Sequence, residues 1–129
     1  MPRRLLPVVV LLVTALSGVV LADARSDAKA QVEFGISVAA KGLWREAIYR
    51  WERATQIDPT YGAAFNNLAV AYEHEGQLEK AGEAYERALK LEPNNAMVRQ
   101  NFELFKEIHD RTNQSNQSNP SQSSQSQTP

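Results

Sequence analysis

The chain has 129 residues, which points to one small domain with little room for a second. Its 14 Lys+Arg against 15 Asp+Glu leave a formal net charge of −1, so no chain-wide pull towards nucleic acid is expected. There is no cysteine, which excludes disulfides, thiolate metal sites and cysteine nucleophiles.

The N-terminus reads as an export signal. Arg3 and Arg4 precede the uncharged run LLPVVVLLVTALSGVVLA at 5–22, and Ala22-Asp23-Ala24 places small residues for cleavage after Ala24 or, nearly as well, after Ala22. The alternative is an uncleaved membrane anchor, because 18 apolar residues sit at the short limit for spanning a bilayer. Residues around the Arg pair fit a twin-arginine signal poorly, and a lipoprotein anchor lacks its cysteine. Either reading puts 25–129 outside the cytoplasm, periplasmic or extracellular if the leader is cut, with 12 Lys+Arg against 14 Asp+Glu.

The next stretch repeats itself. Gly42 and Gly76, Ala47 and Ala81, Ala54 and Ala88, and Pro59 and Pro93 are each separated by 34 residues. Units numbered one to thirty-four then cover 28–61 and 62–95. Small residues stand at position eight (Gly35, Ala69), twenty (Ala47, Ala81) and twenty-seven (Ala54, Ala88), where they let two antiparallel helices approach closely. Large ones fill the remaining space at seven (Phe34, Leu68), eleven (Val38, Tyr72) and twenty-four (Trp51, Tyr85). Glycine at fifteen ends each first helix because it tolerates positive φ, and proline at thirty-two stops each second helix. The pattern predicts helices over 26–41, 44–57, 62–75 and 78–91.

From residue 96 the first-helix pattern starts again with Phe102 at seven. A capping helix over 96–111 is expected, with Met97, Val98, Phe102, Phe105 and Ile108 covering the last apolar face. The tail TNQSNQSNPSQSSQSQTP, 112–129, has no apolar side chain and is expected to be a disordered spacer. Asn113 and Asn116 stand in glycosylation sequons, which matter only in a eukaryotic secretory pathway.

These residues resemble the tetratricopeptide repeat family over 28–95. The first unit departs from the family pattern, with Gln31 at four and Val38 at eleven where aromatics are usual. The resemblance implies an all-α short right-handed superhelix of two helix-turn-helix units plus the capping helix. It also implies a concave surface lined by Lys29, Val32, Ile36, Ala39 and Ala40 of the first unit and Ala63, Asn66, Val70, Glu73 and His74 of the second. Val32, Ile36, Ala39, Asn66, Val70 and Glu73 are the candidate partner-binding residues, with Asn66 hydrogen-bonding an extended backbone. For Val32, Ile36 and Val70, packing against the neighbouring repeat is an equal alternative. The carboxylate clamp of some relatives is not carried over, because only Asn67 matches it; Val32, Ile36, Met97 and Asn101 occupy the other positions.

No catalytic constellation emerges. His74 and His109 are the only histidines, and Glu73 and His74 are expected in solvent. No metal or cofactor is expected. Glu79, Lys80, Glu83, Glu86, Arg87 and Lys90 read as a solvated face with i, i+4 ion pairs, and Arg45, Arg50 and Arg53 are offset by Glu46 and Glu52. The expectation is an exported, non-catalytic scaffold or adaptor with a protein or peptide partner. A structural homodimer without an external ligand is the competing reading.

Overall fold

The computed structural model describes residues 6–118, with side chains from residue 21 onward. Five helices follow in order: α1 Leu6–Ala39, α2 Trp44–Ile57, α3 Gly62–His74, α4 Leu78–Leu91 and α5 Ala96–Ser118. Helices α1 and α2 form one antiparallel pair and α3 and α4 the next; α2 packs on α3, and α4 packs on α5. The all-α helical-repeat architecture is as expected.

Both glycine turns follow from backbone geometry. Gly42 and Gly76 have φ of +78° and +73°, the left-handed region in which a Cβ is penalised. Gly42 N–H donates to Ala39 O and Leu43 N–H to Val38 O; Gly76 and Gln77 repeat this pair of bonds on Glu73 and Tyr72. The last carbonyls of α1 and α3 are thereby satisfied without a side-chain cap. At the other junctions the second helices end before Pro59 and Pro93, with Asp58 and Glu92 making the final backbone bonds to Ala54 and Ala88.

The small-residue positions hold the pairs together. Ala47, Ala54, Ala69, Ala81 and Ala88 are fully buried, against Trp51, Leu68, Tyr72 and Tyr85. Gly35 is the extreme case: a Cβ there would lie 2.3 Å from Trp51 Nε1. The indole N–H donates to Val32 O at 3.1 Å, which holds the ring in place. A tryptophan at position twenty-four therefore requires glycine at position eight, whereas Tyr85 leaves room for Ala69.

Other expectations need correction. Phe34 does not fill the core. It is 48% exposed, with the Arg50 guanidinium 4.5 Å above its ring. The equivalent Leu68 is buried because α2 packs against α3. In α5 only part of the expected cap points inward. Val98 and Phe105 are buried and Phe102 is half-buried beside Tyr85, while Met97 and Ile108 are exposed on a different stripe. Glu79, Lys80, Glu83, Glu86, Arg87 and Lys90 are all exposed, but Lys80 and Arg87 lie over the Tyr72 and Phe65 rings rather than on neighbouring carboxylates.

The helix ends also differ from those predicted. Helix α1 is unbroken from Leu6, so the cleavage positions after Ala22 and Ala24 fall inside it; no proline or glycine interrupts the ladder between Val19 and Phe34. Helix α5 runs past Arg111 to Ser118, into the segment expected to be disordered. Its last turns are exposed and carry local bonds from Thr112 Oγ1 to Ile108 O and from Ser115 Oγ to Thr112 O. The rest of the tail, 119–129, and the Arg3-Arg4 pair lie outside the described residues. Among the described residues no helix is long and apolar enough to cross a membrane. The apolar run 5–22 lies almost wholly before residue 21, where the description of side chains begins.

Candidate partner-binding groove

The first helices of successive units lie side by side and line one surface. Asn101 Nδ2 donates to Asn66 Oδ1 at 3.2 Å and so ties α5 to α3. Between α1, α3 and α5 lies a cavity of about 390 Å³. Lys29, Val32 and Ile36 from α1, Ala63 and Asn66 from α3, and Met97 from α5 line it.

An apolar ladder runs along this surface. Ile36, Val70 and Leu104 occupy position nine of three successive units, 34 residues apart, and all three are exposed, by 52%, 37% and 49%. Met97 and Ile108, each 58% exposed, extend the α5 rail at positions two and thirteen. Large aliphatic side chains left in water in a regular row mark a surface built to be covered.

The candidate residues divide on this geometry. Ile36 and Val70 stand on the ladder. Val32 is 4% exposed and belongs to the core, touching the cavity from below. Ala39 packs against the core and does not line the cavity. Asn66 is 5% exposed and its Oδ1 already accepts from Asn101, so it is not the free hydrogen-bonding residue expected. Glu73 is half-buried and accepts the Tyr85 hydroxyl at 3.0 Å, a contact between α3 and α4 rather than a solvated position. Lys29 lines the cavity while paired with Glu33 at 4.0 Å. Sequence reasoning placed Met97 and Ile108 in the cap and passed over Leu104; carrying the 34-residue register into the third unit would have aligned Leu104 with Ile36 and Val70, and Met97 with Lys29 and Ala63 of the cavity lining.

Electrostatics reinforces the frame around the groove. Burial raises the Tyr85 hydroxyl pKa first, and the bond to the charged Glu73 raises it further; Tyr72 behaves alike through burial and Glu52. At the start of the repeat, Arg25 bonds Asp58 and Thr60 and lies 4.7 Å over the Tyr61 ring. Burial pushes the Asp58 carboxyl up, but the bonds from Thr60 and Arg25 and the guanidinium charge outweigh it and hold it below its ordinary range. At the far end His74 stacks on Trp44, with ring centroids 4.1 Å apart, and its Nδ1 is 3.5 Å from Glu75. A second, larger cavity of about 590 Å³ lies between α2, α3 and α4. Its charges are balanced: Lys80 and Arg87 cover Tyr72 and Phe65, and Glu52 accepts the Tyr72 hydroxyl.

Paired antiparallel helices, glycine turns at a 34-residue period and an open surface formed by the first helices make an all-α helical-repeat fold like that of tetratricopeptide repeats. Residues 62–95, the α3–α4 unit, match the Tetratricopeptide repeat family, so the chain carries a repeat of that kind. Curated relatives match part of the chain. The chain is 33% identical over 73 residues to the chloroplastic tetratricopeptide repeat domain-containing protein PYG7 of Arabidopsis thaliana, covering 57% of this chain and 24% of that protein. It is 28% identical over 82 residues to the Photosystem I assembly protein Ycf3 of Rippkaea orientalis, covering 53% of this chain and 47% of Ycf3. It is also 37% identical over 60 residues to the probable UDP-N-acetylglucosamine–peptide N-acetylglucosaminyltransferase SPINDLY of Solanum lycopersicum, covering 46% of this chain but only 6% of that enzyme. The chain thus spans at most about half the length of these relatives.

Proposed function

We propose that this protein is an exported, non-catalytic interaction module that holds a segment of a protein partner in the groove formed by α1, α3 and α5, acting as an adaptor in an assembly. The observation that carries this reading is the exposed ladder of Ile36, Val70 and Leu104 beside a cavity of about 390 Å³. Apolar burial along the ladder supplies affinity, at about 25 cal/mol per Å² of area removed from water. Tetratricopeptide repeats generally mediate protein–protein contacts, and Ycf3 is by its name an assembly protein. The match to SPINDLY covers so little of that enzyme that it carries no activity across.

Export rests on the leader reading of 1–24. Cell fractionation followed by N-terminal sequencing tests it, and an intact N-terminus in the cytoplasmic fraction would refute it.

The groove is tested with the full chain as bait in native extract, beside an Ile36→Glu/Val70→Glu variant. Both positions are exposed, so circular dichroism and the melting temperature should be nearly unchanged. A partner captured by the parent and lost from the folded variant supports the groove. Equal capture by both sinks it.

A further inference from the structure

The occupant of this groove can be narrowed from its spacing. Resting on the groove reading above, we propose that the ligand is an amphipathic α-helix with apolar residues at i, i+7 and i+14 and basic flanks, laid across α1, α3 and α5.

Neighbouring packed helices lie about 8–10 Å apart, so three ladder residues on three adjacent helices present apolar contacts at about that interval. An α-helix advances about 1.5 Å per residue and returns to nearly the same face every seven residues, about 10.5 Å along its axis. Residues i, i+7 and i+14 therefore meet Ile36, Val70 and Leu104 in turn. An extended strand advances about 3.3 Å per residue and presents one face every second residue. Its same-face side chains fall at about 6.6 and 13.2 Å and straddle the rungs.

A second observation points the same way. Asn66, the residue expected to grip an extended backbone, is 5% exposed with Oδ1 occupied by Asn101. A helical ligand satisfies its own backbone and needs only side-chain contacts. Charge sets its flanks: Glu33 and Glu92 line the cavity against the single cation Lys29. The Glu33 carboxylate is well exposed and meets Lys29 only at 4.0 Å, so it remains open to a ligand's Lys or Arg.

The test uses two displayed libraries of 18-residue peptides, selected on the purified full chain. One fixes leucine at positions one, eight and fifteen, with alanine, glutamine and lysine elsewhere; the other alternates valine with threonine and lysine. Binders are expected from the first library alone, gaining helical circular dichroism when bound. Ile36→Asp and Leu104→Asp should each weaken them about tenfold or more, the equivalent of one lost apolar contact. Tyr49→Asp, at an exposed position on α2 away from the groove, should change affinity less than about twofold. Binders from the alternating library that are lost in Ile36→Asp and Leu104→Asp would overturn the helix assignment and keep the groove. No binders from either library, or binders indifferent to both substitutions, would overturn the groove as well. A dimer in sedimentation that Leu104→Asp dissociates would put a second copy of the chain on the ladder, and would also overturn the proposal.

Discussion

At the residue scale, one contact separates the two repeats. Gly35 leaves the space into which Trp51 packs, and the indole is fixed by its bond to Val32 O. Alanine in place of an interior helical glycine normally gains about 1 kcal/mol of helix propensity. Here the 2.3 Å approach should reverse the sign, because forcing an atom into a filled site costs about 1–3 kcal/mol. Gly35→Ala is therefore expected to lower the unfolding free energy, and Gly35→Ala/Trp51→Tyr to recover part of it by copying the Ala69–Tyr85 arrangement. Denaturant melts of the single and double variants decide this, and a Gly35→Ala protein more stable than the parent would contradict it. Asp58 supports a prediction in acid. Its carboxyl is held below the ordinary value of 3.8. Its stabilisation is therefore complete above about pH 4 and is lost as pH falls through the lower folded-state value. Asp58→Asn should flatten the acid limb of stability below about pH 4, and an unchanged slope would show that other groups carry it.

At the scale of the element, α5 shows how one helix serves two purposes. Val98 and Phe105 lie on the stripe facing α4, whereas Met97, Leu104 and Ile108 lie about a quarter-turn away on the open surface. Adjacent residues should therefore respond differently to truncation. Phe105→Ala is expected to cost about 3–5 kcal/mol, because it empties a site shared with Tyr85 and Phe102. Leu104→Ala should cost only about 0.5 kcal/mol. Chemical denaturation of the two variants tests the assignment of faces, and equal losses would show that Leu104 packs inward. The expectation of a simple cap missed this division because an apolar residue in a terminal first helix carries no label for core or groove. Position in the 34-residue register carries that label, and Leu104 aligns with Ile36 and Val70.

At the scale of the whole molecule, the array is a stack in which each helix pair leans on its neighbours. Phe34 of α1 is exposed, and so are Met97, Leu104 and Ile108 of α5. The period, the five helices and both glycine turns were legible in the amino-acid sequence. Each follows from local chemistry: φ at glycine, the blocked amide of proline, and side-chain size at helical spacing. The tertiary structure alone decided which apolar residues of the first helices were buried. Val32 turned inward beneath the cavity while Ile36, one helical turn further on, stayed in water. It also decided that Asn66 and Glu73 would bind Asn101 and Tyr85 instead of facing a partner. Those outcomes depend on the angle at which neighbouring helices pack, a property of contacts between residues distant in the chain.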